Sequence, residues 1–213
     1  MQRKNDKNTF AKIPQNLKRI NRIVLKDEEE YENLEIKGCD FSNLSFKSLE
    51  FKDCHIKKCN FSKTKIAKLS FVNVKFEDCD FANFEAEEIY IKKVDFIKCR
   101  MIGFLATEGV LAETSFQNSQ LKFSQFRFAK LKDVNFHNCP LTESDFYSAE
   151  LASVNFSECD LTKVEMSKTK HRKTDLRTSD ISGLNIGIES LRGVTIDNSQ
   201  INSLIWLLGV NVK

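Results

Sequence analysis

The chain has 213 residues, 41% of them hydrophobic and 30% charged, with a net charge of +3. No apolar run reaches about 18 residues and the N-terminus is polar and basic, so neither a membrane-spanning helix nor a secretory signal is expected. GxGxxG, Walker, HExxH and GxSxG patterns are absent and His55, His137 and His171 are scattered, so an enzyme is not expected, nor a catalytic residue, cofactor or metal.

Residues 1–33 read as a leader and cap. Arg3, Lys4, Lys7, Lys12, Lys18, Arg19, Arg22 and Lys26 stand against one acid, Asp6, so residues 1–26 carry +7 and the rest of the chain −4. Pro14 and the scatter Ile13, Leu17, Ile20, Ile23 and Val24 allow one amphipathic turn or short helix ahead of the acidic run 27–30. One reading is a cap or a tail, since an uncapped solenoid end exposes core and strand edges. The other is a basic arm for phosphate or a membrane surface.

From Ile36 to Ile201 an apolar residue returns at every fifth position without a phase slip: Ile36, Phe41, Phe46, Phe51, Ile56, Phe61 and onward. Of the 34 lattice positions 13 are Phe and 18 are Ile, Leu or Met; Ala86, Ala106 and His171 depart. Neither the helix period of about 3.6 nor the strand period of about 2 produces a five, which belongs to a repeat architecture. Two places before each lattice residue the side chain is nearly always small or apolar, as at Cys39, Cys54, Thr64, Val74 and Ala129. Each unit therefore turns two residues inward and three outward, and the unbroken register predicts one solenoid over 34–196.

Units such as Cys39-Asp40-Phe41-Ser42-Asn43, Cys79-Asp80-Phe81-Ala82-Asn83 and Cys159-Asp160-Leu161-Thr162-Lys163 resemble the pentapeptide-repeat family. The resemblance implies an all-β fold, a right-handed quadrilateral parallel β-helix with four units per coil. Residue n then stacks on n + 20. Ala86 and Ala106 stack, each preceded by a large residue at the small site, Phe84 and Phe104, an inversion that conserves core volume. All seven cysteines, 39, 54, 59, 79, 99, 139 and 159, fall at small inward sites without CxxC spacing; they read as reduced, metal-free filler suited to a cytoplasm. Pro140 lacks a ladder donor, so its coil is expected to be irregular. His171 occupies an inward site, as a neutral imidazole with one satisfied hydrogen bond or turned outward by a kink.

Two surfaces stand out. Outward slots turn apolar at Ile97, Ile102, Leu105, Val110, Phe123 and Phe128, a contact patch or side chains covered by a neighbouring loop or a distorted corner. Acids gather on the face of Phe46 and Phe126, at Glu85, Glu87, Glu88, Glu108, Asp145 and Glu165, with Asp40, Asp80, Asp160 and Asp180 on its neighbour. The face of Phe51 and Leu131 is basic, with Lys52, Lys92, Lys93, Lys130, Lys132, Lys170, Arg172, Lys173 and Arg192.

Residues 197–213 read as a short dimerisation or capping helix and tail. Asp197, Asn198 and Ser199 offer N-cap oxygens before the stripe Ile201, Leu204, Ile205, Leu207 and Leu208, stopped by Gly209. So short a helix needs a docking surface, and Ile201, Leu204, Ile205 and Leu208 are the expected interface of a homodimer, unless they cap their own solenoid. Residues 191–200 with Leu207, Leu208, Gly209 and Val210, together with Phe126-Arg127-Phe128-Ala129 and residues 141–146, resemble the loop-free Qnr-type quinolone-resistance members of the family. That likeness implies a cytoplasmic bacterial DNA mimic, a dimer that occupies the DNA site of type II topoisomerases (DNA gyrase and topoisomerase IV) and protects them from fluoroquinolones without touching nucleic acid or membrane. The alternative is a structural or adaptor repeat protein that binds an unrelated protein.

Overall fold

A computed structural model describes residues 9–208. Thirteen strands follow in chain order: β1 (Lys18–Ile20), β2 (Glu29–Glu32), β3 (Leu34–Lys37), β4 (Ser45–Lys52), β5 (His55–Lys57), β6 (Lys65–Glu77), β7 (Glu85–Ile97), β8 (Val110–Gln117), β9 (Lys130–His137), β10 (Glu150–Ser157), β11 (Lys170–Arg172), β12 (Thr174–Asp175) and β13 (Val194–Thr195). Every pairing among them is parallel, and from β2 onward partners lie 20 residues apart, as in Leu49↔Leu69, Val74↔Val94 and Phe96↔Phe116. A one-unit repeat of five and a coil of 20 leave four units per turn, the right-handed quadrilateral β-solenoid the family resemblance implies, with about nine turns.

The lattice residues fill the axis. Phe76, Phe96, Phe116, Phe136 and Phe156 stack as one column with ring centroids 5.1, 5.0, 4.8 and 4.8 Å apart and planes within 6°. That spacing is the distance of about 4.8 Å between neighbouring strands, so the backbone ladder itself sets the rings face to face. Adjacent columns meet edge-on, as Phe76 on Phe81 at 87° and Phe136 on Phe146 at 89°. The lattice stays inward to Ile196, loosens at half-buried Phe46, His171, Leu191 and Ile196, and ends at Ile201, which is exposed because the chain has left the coil for a helix.

Corners explain the small inward site. The last residue of most units is left-handed, including Asn43, Lys63, Asp78, Asn118 and Lys163, and so tight a bend leaves little room behind it. At the corner entering the Phe51 face, Ser48, Lys68 and Glu88 are not left-handed, and there the next residue is large: Leu49, Leu69 and Ile89. The corner opens to house them and β4, β6 and β7 run through it unbroken. One coil later the site shrinks to Gly109, then Ala129 and Ala149, and Glu108, Phe128 and Ser148 become left-handed. Gly109 marks the step, since a Cβ there would lie 2.4 Å from Ile89 Cγ2. The inverted pair departs from this rule: Asn83 and Gly103 are left-handed yet large residues follow them, Phe84 and Phe104, which stack at 5.6 Å with the small Ala86 and Ala106 buried beside them.

Pro140 perturbs little. Neighbouring coils donate Gln120 N to Cys99 O and Asp160 N to Cys139 O at that corner, and proline lacks the equivalent N–H, yet its carbonyl still accepts from Leu121 N at 2.9 Å. The expected local irregularity reduces to one missing ladder bond.

Candidate functional site

The acid before each lattice residue works first as a turn clamp. Asp40, Asp80, Asp160 and Asp180 accept from the backbone N–H two residues on, Ser42, Ala82, Thr162 and Ser182, at 2.9–3.0 Å. These bonds hold the Asp40 carboxyl below its ordinary range, with the Ser42 amide as the leading cause. Burial alone would raise Asp160, but the Thr142 hydroxyl and Thr162 bring it below its usual value.

On the Phe46 face the six candidate acids separate into two groups. Glu85 pairs with Lys65 at 3.0 Å, Asp145 with Arg127 at 2.6 Å, and Glu165 accepts from Ser167 N and from the Asn185 amide. Glu87, Glu88 and Glu108 are exposed and make no ion pair among the described residues. They line an open groove at the step, with Glu50, Lys68, Tyr90 and Val110. On the basic face Lys52 and Lys170 pair with Glu32 and Glu150, whereas Lys92, Lys93, Lys130, Lys132, Arg172, Lys173 and Arg192 have no such partner among the described residues.

The six apolar candidates do not form one patch. Ile97 ends β7 on the Ile36 face and is half-buried. Leu105 and Phe123 line one shallow groove with Lys63, Asn83, Glu85 and Gly103, next to half-buried Ile102, while Val110 belongs to the groove at the step. Phe128 stacks edge-on against Tyr147 at 5.7 Å, and the Arg127 guanidinium lies 4.6 Å from the Tyr147 ring. The expectation of a contiguous patch fails because successive units turn a corner, so slots near in sequence point to different sides.

At the C-terminal end Asp197 caps as expected: its side chain accepts from Ser199 N, and Gln200 Oε1 accepts from Asp197 N at 2.8 Å. Gln200 is buried and donates to Leu176 O and Ser179 O, sealing carbonyls the last coil leaves open. The helix is short, α-helical over Ile201–Leu204 and 3₁₀ over Ile205–Leu208. Leu204 is buried and packs, with half-buried Ile205 and Leu207, around a cleft shared with Leu191, Val194 and Ile196. Ile201 and Trp206 remain exposed, at 48% and 54%. Of the expected interface, Leu204 thus serves its own solenoid as a cap; the Leu208 side chain and Gly209 lie outside the described residues.

His171 donates and accepts. The Thr169 hydroxyl is held by Met166 O, so it accepts from Nε2–H at 2.7 Å, and Nδ1 accepts from the Thr174 hydroxyl at 3.1 Å. Burial lowers its pKa to about 4. The cysteines are free and buried, and each of Cys79, Cys139 and Cys159 reaches a carbonyl of the coil below, Ile56, Phe116 and Phe136. Burial pushes Cys54 up to about 11 and Cys59 to about 12. Ser119 and Ser179 take the same place in that column with the same bonds, which accounts for a small polarizable donor there.

The leader contributes what sequence reasoning missed. β1 pairs with β3, Lys18↔Leu34, and extends the solenoid below residue 34. Upstream, residues 9–13 lie across the Ile36 face, where Asp95 accepts from Phe10 N and Ala11 N at 2.9 and 3.1 Å. Arg3, Lys4, Asp6 and Lys7 lie outside the described residues.

The profile described as "Pentapeptide repeat region" matches residues 89–166 and 129–206, together more than half of the chain. Among solved structures, full-length QnrB1, a plasmid-mediated fluoroquinolone resistance protein, is 21% identical with a TM-score of 0.42 over 90% of this chain and 95% of its own. HetL of the cyanobacterium Nostoc sp. strain PCC 7120, involved in heterocyst differentiation regulation, is 12% identical with a TM-score of 0.34 over 78% and 84%. No curated protein matches the chain significantly.

Proposed function

The chain belongs to the pentapeptide-repeat family, and from that premise we propose that it is a non-catalytic rod that binds a protein, its partner being a type II topoisomerase that it engages in place of DNA. The observation that supports this most is one-sided charge: Glu87, Glu88 and Glu108 are exposed at one corner without an ion-pair partner among the described residues, and the lysines belong to the next face. A prism without a deep cleft suits surface recognition better than chemistry. Rod and duplex match in length more than in charge. A duplex of about 40 Å carries about 24 phosphates, whereas most acids of these two faces are bound within the rod. Recognition therefore rests on a few glutamates and on shape. Seven unpaired buried thiols suit a reducing cytoplasm, and a homodimer through the C-terminal cleft would double the length of the rod.

The test is a supercoiling assay with DNA gyrase and topoisomerase IV, with and without a fluoroquinolone. Inhibition or drug protection at micromolar protein is expected, weakened in Glu87→Lys/Glu88→Lys/Glu108→Lys. Neither effect on either enzyme sinks the topoisomerase reading. The second reading, an adaptor for an unrelated protein, is favoured by the exposed Phe123 and Phe128, which a phosphate-like surface does not call for.

A further inference from the structure

Asp95 occupies an outward slot, yet it is 1% exposed. In the same column of the Ile36 face Lys75 and Ser115 are its neighbours, and Ser115 donates to Asp95 Oδ1 at 2.6 Å. What buries the carboxylate is the chain's own leader: Phe10 N donates to Oδ1 and Ala11 N to Oδ2. The next residue is held as firmly. Asn73 Oδ1 accepts from Lys12 N at 2.7 Å and Asn73 Nδ2 donates to Lys12 O at 3.0 Å, so one carboxamide pairs both backbone groups as a neighbouring strand would. Below this point Ile13, Pro14 and Leu17 continue past His55, Lys57 and Glu35 to β1.

We propose that the Ile36 face carries a binding site for a peptide backbone, built from Asp95, Ser115 and Asn73, and that residues 9–13 fill it in cis as a displaceable strap. Every hydrogen bond that Phe10, Ala11 and Lys12 give to Asp95 and Asn73 comes from backbone. The site thus reads three successive backbone N–H groups turned to one side and excludes proline at any of those positions. A buried carboxylate with three donors is a strong acceptor. It is also an expensive group to bury without them. Those two facts make the site one that favours occupancy. A partner segment that offers the same backbone pattern displaces the leader.

The experiment uses the whole chain. Ala11→Pro removes one donor to Asp95 and leaves the site's own residues untouched. A fluorescent peptide of residues 9–17 should bind this variant saturably, bind the parent at least about tenfold more weakly, and fail to bind Ala11→Pro/Asp95→Ala; tenfold is what one hydrogen bond to a charged acceptor carries. Trypsin cleavage after Lys12 should accelerate by about the same factor in Ala11→Pro and in Asn73→Ala, with the solenoid's circular dichroism unchanged. Asn73→Ala lies at a half-buried corner and keeps the test open should the double variant fold poorly. Equal peptide binding by all three proteins, binding by none, or cleavage at Lys12 as slow in both variants as in the parent overturns the proposal.

Discussion

Replacing His171 by leucine should flatten the dependence of stability on pH. The imidazole lies in a lattice column above Leu151, with both nitrogens satisfied as the neutral ring, and burial brings its pKa from 6.5 to about 4. The unfolded chain takes up this proton near the ordinary value and the folded chain does not, so stability is full above that value and falls as the pH drops toward 4. At about 1.4 kcal/mol per tenfold in proton affinity, the whole effect is about 3 kcal/mol, of which about 2 kcal/mol is lost by pH 5. His171→Leu leaves the Thr169 hydroxyl bound to Met166 O and deprives only Thr174 of its acceptor, so at pH 8 it should lie within about 1 kcal/mol of the parent. Urea unfolding followed by circular dichroism at pH 8 and pH 5 reads the difference, since carboxylates and His55 titrate alike in both proteins. If parent and variant lose the same stability between the two pH values, the buried neutral imidazole is wrong.

Phe104→Ala should destabilise by about 3–5 kcal/mol, because the ring is fully buried and stacked on Phe84; Phe104→Ala/Ala106→Phe should recover part of that in thermal melts, and a double variant no better than the single would show that the inversion is not volume exchange. Asp160→Ala should cost about 1 kcal/mol by losing the clamp on Thr162 N, whereas Asp160→Asn keeps an acceptor and stays near the parent; equal losses in denaturant titrations would deny the turn role. Ile201→Asp, at an exposed position of the terminal helix, should convert a homodimer to monomer in light scattering without changing the melting point; a monomeric parent removes the interface altogether.

The lattice was readable because each five-residue unit maps onto one side of the coil, so period and burial coincide from Ile36 to Ile196. Pairs such as Lys65 with Glu85 and Asp80 with Arg100 were equally readable, since column neighbours are 20 apart in the sequence. Treating the acids as a face instead of a column concealed that neutralisation. Leu49, Leu69 and Ile89 signalled the open corner by their size alone. The leader's docking had no such signal: its donors are backbone N–H groups, which carry no sequence, and Asp95 lies 85 residues from Phe10. Gln200 was unreadable for a related reason, because a polar residue gains a buried role only when the coil ends beneath it.

The step at Gly109 governs how the rod's length can be edited. Loss of one 20-residue coil re-stacks residue n + 40 on n, and in the narrow part this exchanges like for like, Ala149 for Ala129 or Phe156 for Phe136. Loss of residues 90–109 instead sets Ala129 over Ile89, whose Cγ2 comes within 2.4 Å of where a Cβ would stand. Duplication of that coil meets no such obstacle, because a second glycine then rides on the first. The molecule can grow through its step but cannot shorten through it, because Ile89 leaves no room for a Cβ where Gly109 stands.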